Sequence, residues 1–500
     1  MVKFVIWRLA FFAFIICGSV MTISFVLERN EINRSHPPSQ TSSEKKAVEV
    51  KKKPENKNYV PEDIDFPKNF FFGTAYSDFQ TTGISEASGW YDYVQKMKPP
   101  QVGPGIGNDF FNRYKEDFDL AGQLGIQVHR MSLEWSRFEP EEGKWDMKMV
   151  RKYREIFAYM KKQGIEPMIC LNHFPLPKWF ADKGGWENPE APKYYESYAE
   201  FIAKNLGIPL KIKWWLTFNE PQLVISIPYA KGAWPPFKSI TGFQDAAGTK
   251  RLLLVTSHIM DGHRLAYRAI HRIMDGHIKT QTMVGFASAA GAFYPNDPNS
   301  PLDQFAYNIF NSVNTLLFDY MAGSADRDFI GLNYYGRTKL KMHISIWKNM
   351  VPWLTEDKPV AIEWDPDKHA EGGRPKEFYP QALYEMIIKF KDLNLPIIIT
   401  ENGLDDDSDK FREEFIVIHL KAVHDALRDG ANVIGYQYWA LADTWEPGDA
   451  RFSQMGLIKI DRDDNLARSL RPSAWTYSEI IKTKTITKEL LEKHKELLTK

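Results

Sequence analysis

From about residue 66 the chain alternates short β-prone runs with amphipathic stretches. The stretches 113–125 and 149–164 repeat apolar residues at the spacing of a helix. The β-prone runs lie at 70–76, 126–133, 165–172, 214–220, 282–288, 328–335, 396–401 and 433–439. Strands that alternate with helices pair in parallel, because a parallel neighbour requires a long crossover. Eight such units over roughly 430 residues predict a (β/α)8 TIM barrel with long βα loops. A doubly wound open sheet is the alternative, but no G-x-G-x-x-G or P-loop motif follows any strand.

The N-terminal part of the chain has a different pattern. Residues 9–27 carry no charge and are long enough to cross a bilayer, whereas the core of a cleavable signal is shorter. We therefore predict a single-pass membrane anchor over residues 1–27, with an uncleaved or unusually cleaved signal peptide as the alternative. Residues 28–63 are polar and cannot bury enough apolar surface to order themselves, so they are predicted to be a disordered linker.

We predict that the rest of the chain consists of a barrel domain, residues 64–490, and a short helical tail, residues 491–500. Basic residues flank the predicted anchor on both sides in nearly equal number, so the positive-inside rule leaves its orientation open. An extracytoplasmic or luminal barrel is the favoured arrangement. Oligomeric state is left open.

Charge and composition exclude only a few classes of function. Lys+Arg and Asp+Glu both number 64, so no global field attracts nucleic acid, and no nucleic-acid partner is expected. Aromatic residues make up 14% of the chain, which suits both a large core and stacking surfaces for flat ligands such as sugar rings. Cys17 and Cys170 lie in dissimilar apolar segments, so an internal disulfide is not expected.

Polar residues recur where the predicted strands end, and functional residues of such barrels lie at these ends. Glu220 and Glu401 end the fourth and seventh strands, so they can face each other across the barrel mouth. Two opposed carboxylates beside aromatic side chains suit glycosidic bond cleavage, in which one donates a proton and the other acts as nucleophile or activates water. A metal site would also use carboxylates, but His173 is the only histidine at these strand ends and no ligand spacing is present, so no metal or cofactor is expected.

Several ordered motifs carry a family resemblance. They are "FPKNFFFGTAYSDFQTTG" (66–83), "RMSLEWSRFEP" (130–140), "LNHFPLPKWFADKGGW" (171–186), "TFNEP" (217–221), "DFIGLNYYG" (328–336), "IITENG" (398–403) and "YWALADTWEP" (438–447). With them the chain resembles glycoside hydrolase family 1, the retaining β-glucosidases and β-galactosidases, from about residue 66 to about 485.

The resemblance implies a role for each matching residue. Glu220 would be the general acid/base and Glu401 the nucleophile, with Arg130 and Tyr335 beside Glu401. Asn219 would hold the sugar 2-hydroxyl. The remaining substrate-binding residues would be Gln80, His173, Asn333, Trp439, Trp445 and Glu446. Glu446 would repel a phosphorylated sugar, so the resemblance favours a neutral glycone.

The chain also departs from the family pattern. Pro447 stands where the family usually has a glycone-binding tryptophan, and proline offers neither an indole N–H nor a flat ring. Thr444 replaces an asparagine, Thr82 a common glutamate, and Glu134 a small or apolar residue of many members. We expect an intact reaction centre with one altered glycone wall, and weakened specificity or affinity for simple glucosides.

Three functions follow from these observations. The expected one is a membrane-anchored retaining β-glycosidase that hydrolyses non-phosphorylated β-glucosides or β-galactosides through a covalent glycosyl-enzyme. Residues 407–420 and 466–475 also resemble a membrane-attached plant branch of the family that transfers galactose between galactolipids, so transglycosylation by the same two glutamates is the alternative. A non-catalytic sugar-binding relative is the third, and the presence of both carboxylates argues against it. The sequence leaves the choice of glycone and aglycone open.

Overall fold

The computed structural model describes residues 59–498 except 242–244, 279–280, 290, 309–310, 312–325, 345–359 and 367–377. The predicted anchor over residues 1–27, with its apolar run 9–27, and most of the linker 28–63 lie outside the described residues. Among the helices of the described residues, none is both long and apolar enough to cross a membrane.

Eight parallel strands close into a barrel in the described part of the chain, and each pairs with its neighbours in chain order. The strands are β1 (Phe71–Ser77), β2 (Val128–Ser132), β3 (Glu166–Asn172), β4 (Trp214–Asn219), β5 (Met283–Ala289), β6 (Ile330–Tyr334), β7 (Ile397–Asn402) and β8 (Val433–Tyr438). Every strand lies within two residues of its predicted position. The prediction of an eight-stranded parallel barrel is confirmed.

The longer helices pack outside the barrel. They are α1 (Phe110–Leu124), α2 (Met147–Lys162), α3 (Ala191–Ile202), α4 (Ala246–Met274), α5 (Pro380–Lys391), α6 (Arg412–Arg428) and α7 (Pro472–Thr483). Local signals set their ends: the Asp146 carboxylate accepts hydrogen bonds from two free backbone N–H groups at the start of α2. At the end of α1, Gly125 adopts the left-handed conformation (φ 77°) that closes the last turn.

Apolar side chains fill the inside of the barrel at its amino-terminal half. Val128, Met168, Trp214, Met283 and Ile398 stand near the beginnings of their strands and form one buried cluster there. A second, larger apolar cluster lies between the strands and the surrounding helices. Because the inner cluster occupies the amino-terminal half, polar side chains are left at the carboxyl ends of the strands, where the barrel opens.

Shorter elements occupy the loops and the C-terminal tail; apart from the helical tail at 491–500 they were not predicted, because short helices and strands in long loops show little periodicity. The short helices are Asp78–Thr82, Tyr91–Gln95, Trp135–Phe138, Lys178–Asp182, Ile208–Leu210, Pro221–Tyr229, Lys488–Lys493 and Lys495–Leu498, with a 3-10 turn at Gly185–Glu187 and a π-turn at Ala203–Gly207. Additional strands are Ala292–Pro295, Arg337–Ile344 and Val360–Pro366 in one sheet, and the hairpins Thr444–Glu446 with Arg451–Ser453 and Ile458–Asp461 with Ala467–Leu470.

The segments of the chain just before and just after the barrel pair with each other. Strand Ile64–Asp65 pairs antiparallel with Thr485–Ile486. Asp63, assigned to the linker, accepts a hydrogen bond from the Lys488 backbone N–H at 2.7 Å. The boundaries at residues 63 and 490 remain predictions.

Candidate active site

Glu220 and Glu401 lie buried at the mouth of the barrel, 8% and 3% exposed. Glu401 is part of β7, whereas Glu220 follows β4 in the left-handed conformation (φ 49°) and precedes the helix that begins at Pro221. That unusual conformation is held by the Glu220 backbone N–H, which donates to the Ala287 carbonyl of β5 at 2.7 Å. The chain therefore turns sharply at the strand end and leaves this carboxylate within the mouth.

Two strong donors hold Glu401. The guanidinium of the fully buried Arg130 donates to one carboxylate oxygen, and the Tyr335 hydroxyl donates to the other. Burial raises the pKa of Glu401 above its ordinary value, and Arg130 and Tyr335 reduce this rise because they stabilise the charged form. Of the two glutamates, Glu401 has the better environment for a negative charge.

Glu220 has a much weaker environment for a charge. Its carboxylate accepts a hydrogen bond from the Asn333 side-chain amide at 3.0 Å. Burial, together with the negative charge of Glu401, raises the pKa of Glu220 to about 8, against the opposing effects of Asn333 and Arg130. Glu220 therefore keeps its proton at neutral pH, whereas Glu401 has the stronger hydrogen-bond donors for a negative charge.

Asn219 connects the groups around the two glutamates. Its side-chain oxygen accepts from Arg130 at 2.8 Å and from Asn333 at 3.1 Å, so its amide nitrogen faces His173 Nε2 at 3.2 Å. Because an amide nitrogen only donates, Nε2 must accept, and the ring hydrogen is assigned to Nδ1, 3.0 Å from the Ser132 hydroxyl. Burial and the charge of Arg130 lower the pKa of His173 well below its ordinary value, so the ring is neutral.

A second group of polar side chains borders the same space. The Trp439 indole N–H donates to Glu446 at 3.1 Å, and the Arg130 guanidinium lies 5.4 Å from the centre of the Trp439 ring. Gln80 donates through Nε2 to the Trp445 carbonyl at 2.7 Å, while its buried Oε1 has no hydrogen-bond partner among the described residues. Gln80 Oε1 is therefore available to accept a hydrogen bond from a ligand. Burial also raises the pKa of Glu446 well above its ordinary value.

Trp445 is not brought into this group, contrary to its assignment as a substrate-binding residue. Its ring is fully buried against Phe79, and its indole N–H donates to the Val102 carbonyl at 2.7 Å. Its contacts are thus with the core and a neighbouring loop, whereas Trp439 contacts Arg130, His173 and Glu446. Trp445 supports the loop behind the site instead.

Pro447 is buried and begins the turn between the strands Thr444–Glu446 and Arg451–Ser453. Its fixed φ suits that turn position. Thr444 places its hydroxyl 3.3 Å from the Gln80 carbonyl, so the hairpin is tied to the segment that carries Gln80. Two of the four departures from the family pattern, Thr444 and Pro447, therefore lie on one hairpin at the glycone side of the expected site.

A buried charge cluster beside the helix that carries Gln80 includes Glu134 and Thr82, which the sequence shows only as departures from the family pattern. Arg137 Nε lies 3.0 Å from Glu134 and 3.2 Å from Asp78, and its Nη2 donates to the Thr82 hydroxyl at 2.9 Å. Burial, opposed by Arg137, raises the pKa of Glu134 to about 7. The cluster fastens the helix Asp78–Thr82, in which Gln80 lies, to the end of β2.

Thr400 was also missed. Its hydroxyl donates to Asn333 Oδ1 at 2.7 Å, which turns the Asn333 amide nitrogen toward Glu220. The only signal in the sequence was its position one residue before Glu401.

In the part of the chain that the structure describes, no three His, Cys, Asp or Glu side chains form a group that could hold a metal ion.

A parallel eight-stranded barrel with two unequal carboxylates at its mouth is the architecture of a barrel-type glycosidase. The model of glycosyl hydrolase family 1 matches residues 62–323 and 318–486, and the chain belongs to this family.

The chain is similar to proteins from plants and archaea. The "Beta-glucosidase-like SFR2, chloroplastic" of Oryza sativa subsp. japonica is 31% identical over 398 residues, covering 76% of this chain and 57% of the rice protein. The "Galactolipid galactosyltransferase SFR2, chloroplastic" of Arabidopsis thaliana is 29% identical, covering 76% of this chain and 59% of that protein. This chain therefore spans less than two thirds of either plant relative. The solved beta-glycosidase from Pyrococcus horikoshii is 30% identical, with a TM-score of 0.73 over 87% of this chain and 98% of its own.

Proposed function

We propose that this protein cleaves the β-glycosidic bonds of non-phosphorylated glucosides or galactosides by double displacement. Glu401 is the nucleophile and Glu220 the general acid/base. The observation that carries the proposal is the unequal bonding of two buried glutamates: Glu401 has a guanidinium and a phenol, whereas Glu220 has one amide. A retaining glycosidase needs this division into an ionised and a protonated carboxyl group.

In the first step the Glu401 carboxylate attacks the anomeric carbon, and the bond from that carbon to the leaving oxygen breaks. Glu220 gives its proton to the leaving oxygen. The products are a glycosyl ester on Glu401 and a free aglycone, and Glu220 is left ionised. Tyr335 and Arg130 orient the attacking oxygens before the reaction.

Formation of the ester removes the negative charge of Glu401. That charge is one of the two causes that raise the pKa of Glu220, so its pKa falls once the ester has formed. Glu220 then takes a proton from an incoming water, whose oxygen attacks the anomeric carbon and releases Glu401. Each of the two steps inverts the configuration at the anomeric carbon, so the product retains the configuration of the substrate.

Transfer to a sugar hydroxyl is the second candidate function. It uses the same two steps, with the hydroxyl of an acceptor in place of water. It is favoured by the similarity to the Arabidopsis thaliana protein, which carries the name galactolipid galactosyltransferase.

The remaining polar residues bind the sugar in this proposal. Asn219 holds the 2-hydroxyl, where contacts strengthen in the transition state. Gln80 Oε1 and Glu446 accept from other hydroxyls, His173 and Asn333 complete the ring of polar groups, and Trp439 lies beneath the sugar. The family resemblance places Glu446 where the phosphate of a phosphorylated sugar would lie, which supports a neutral glycone.

The membrane anchor over residues 1–27 is a separate proposal that rests on the uncharged run 9–27. It would attach the barrel to a membrane as a single-pass protein, on its extracytoplasmic or luminal side.

One experiment tests the catalytic proposal. The full-length chain is incubated with aryl β-glucoside, aryl β-galactoside and galactolipid, and the products are identified. Free sugar supports hydrolysis, and lipid with added sugars supports transfer. Glu401→Gln should abolish both, while Glu141→Gln, at an exposed glutamate in the loop before α2, serves as the control. Equal activity in Glu401→Gln and the wild type would overturn the proposal.

A further inference from the structure

The short helix Asp78–Thr82 carries Gln80 at its centre and is held at both of its ends. Gln80 is buried and donates to the Trp445 carbonyl, and its backbone belongs to the helix, so it moves when the helix moves. The Asp78 carboxylate accepts from the Glu134 backbone N–H at 3.2 Å and from the Thr82 hydroxyl at 2.5 Å. The position of Gln80 therefore depends on the groups bound to the two terminal residues of its helix.

One guanidinium joins this helix to the end of β2. Arg137 Nη2 donates to the Thr82 hydroxyl at 2.9 Å and to the Gly83 carbonyl at 2.6 Å. Its Nε lies 3.2 Å from Asp78 and 3.0 Å from Glu134, so two carboxylates share one cation. The side chains of both carboxylates are at most 2% exposed. With both ionised, the cluster holds one uncompensated negative charge away from water, which is unfavourable.

Glu134 is the carboxylate of this pair that is less well supplied with donors. Among the described residues, Asp78 accepts from four groups and Glu134 from three. The three donors to Glu134 are Arg137, the Ser85 backbone N–H at 3.2 Å and the Ser136 hydroxyl at 2.7 Å. Burial, opposed by Arg137, raises the pKa of Glu134 to about 7. A proton taken up by the cluster therefore goes to Glu134.

The other titratable groups that face Glu134 come from four elements. Asp78 and Arg137 belong to the cluster, Tyr153 comes from α2 and Tyr198 from α3. Burial raises the pKa of both tyrosines well above the ordinary value, so they stay neutral. Burial lowers the pKa of Arg137, but Glu134 and Asp78 outweigh burial and raise it, so the guanidinium stays charged. Glu134 is thus the member of the cluster that gains or loses a proton near neutral pH.

A proton on Glu134 disturbs the link between β2 and the helix. All three partners donate to the carboxylate, so an added O–H faces a donor unless the Ser136 hydroxyl turns to accept it. A neutral carboxyl group also accepts more weakly from Arg137 and from the Ser85 N–H than an ionised one does. Arg137 holds Thr82, and Ser85 lies three residues beyond it, so the carboxyl-terminal end of the helix loosens.

The same helix also contacts the sugar-binding groups through Phe79, whose ring centre lies 6.3 Å from that of His173. A displaced helix would move both Gln80 and the packing of His173. We propose that ionised Glu134 is a positioning residue that acts through Arg137 to hold Gln80 against the glycone, and that a proton on Glu134 weakens glycone binding. This inference rests on the function proposed above.

Binding of an uncleaved glycoside at two pH values tests the proposal with the full-length chain. The probe is phenyl thio-β-glucoside, or the thiogalactoside if the wild type prefers galactosides, because sulfur is a poor acceptor for the acid proton. Its Kd is measured by calorimetry at pH 5.5 and pH 8, and we call the first value divided by the second the pH ratio. The probe carries no charge, and any contribution of Glu220 to the pH ratio is common to all variants.

Glu134→Gln keeps the shape of the side chain and removes its titration. Its Kd should equal that of the wild type at pH 5.5 and exceed it about tenfold at pH 8, because a charge-assisted contact is then missing. The wild-type pH ratio should therefore be about tenfold larger than that of Glu134→Gln. Thr82→Val removes the hydroxyl through which Arg137 holds the helix, and it should bring the pH ratio to within about threefold of that of Glu134→Gln.

Glu139→Gln is the matched control. Glu139 is a second buried carboxylate on the same loop, and burial raises its pKa as well. Its donors are the Trp135 indole N–H and the Gly143 backbone N–H, both at 2.8 Å, and neither belongs to the helix that carries Gln80. Glu139→Gln should keep the wild-type pH ratio.

Three results would overturn the proposal. They are a wild-type pH ratio no larger than that of Glu134→Gln, a Thr82→Val ratio as large as that of the wild type, or an equal loss in Glu139→Gln and Glu134→Gln. The Thr82→Val result decides the matter if Glu134→Gln does not fold. When an aryl glycoside is cleaved and Glu401→Gln abolishes that cleavage, any of these results removes the positioning inference alone. If no glycoside is bound or cleaved, the proposed function fails together with this inference.

Discussion

The hydrogen bond from Asn333 to Glu220 offers a quantitative test of the acid assignment. Asn333 donates to the carboxylate at 3.0 Å and so stabilises its ionised form. Asn333→Ala removes this donor, and the pKa of Glu220 should rise from about 8. A hydrogen bond to a charged group is worth about 1.5–3 kcal/mol, which corresponds to an increase of about one to two pKa units.

The direction of the effect on activity follows from the need for a protonated Glu220. Activity falls as pH rises through the pKa of the acid, so a higher pKa moves the fall to higher pH. At pH 9 about one tenth of wild-type Glu220 would carry a proton, against roughly half or more in Asn333→Ala. The assay is kcat/KM for an aryl β-glucoside between pH 5 and pH 10, normalised to the plateau of each variant.

Asn333 also donates to Asn219, so the plateau itself should fall and only the position of the alkaline limb is informative. Thr400→Val removes the donor that holds Asn333 Oδ1 and loosens the orientation of the Asn333 amide toward Glu220, so its alkaline limb should move in the same direction by less than that of Asn333→Ala. Glu141→Gln, at an exposed glutamate, is the control, and its limb should stay at that of the wild type. An alkaline limb that is unchanged or lies at lower pH in Asn333→Ala would refute the assignment of Glu220.

Further predictions concern the glycone wall, the buried charge cluster and stability. Pro447→Trp should raise kcat/KM for aryl β-glucosides and β-galactosides about fivefold or more by restoring an aromatic contact, and comparable values in the two proteins would argue against this. Glu134→Gln removes a buried carboxylate 3.0 Å from Arg137 and should raise KM about tenfold with a smaller change in kcat, whereas a fall in kcat alone would exclude a role in sugar positioning. Burial lowers the pKa of His271, but its hydrogen bonds to two aspartates, including Asp328 at 2.9 Å, outweigh burial and raise it. The stabilisation is therefore complete below the ordinary histidine pKa and is lost as pH rises through the folded one, so His271→Asn should lower Tm more at pH 6 than at pH 9; equal losses would contradict this.

Much of the barrel was predictable because each strand is a short apolar run followed by an amphipathic helix. Once the strands were ordered, their carboxyl ends located Glu220, Glu401, Arg130 and Asn333 within one mouth. The rule that parallel strands end at the same rim supplied this result without coordinates. The rule does not predict which hydrogen-bond partner each side-chain atom takes. The Asn333 amide faces Glu220 because Thr400 holds its oxygen, and these two side chains are 67 positions apart in the sequence.

The errors and omissions come from contacts between distant loops. Trp445 looked like a substrate-binding aromatic, but its indole N–H donates to Val102, 343 positions away. Arg137 is bonded to Thr82, 55 positions away, so the charge cluster was visible only as isolated unusual residues. Pairings of this kind depend on how long βα loops pack on each other, and no local periodicity encodes them. The anchor over residues 1–27 remains a prediction from apolar length alone.

The central claim is that Glu401 forms a covalent bond to the sugar. The most direct measurement treats the full-length protein with a dinitrophenyl 2-deoxy-2-fluoro-β-glucoside, which slows release of the sugar, and locates the added mass by peptide mapping. We predict one sugar attached to the peptide that contains Glu401 and none in Glu401→Gln. A sugar on any other residue, or turnover that gives an inverted product without a covalent intermediate, would contradict the account.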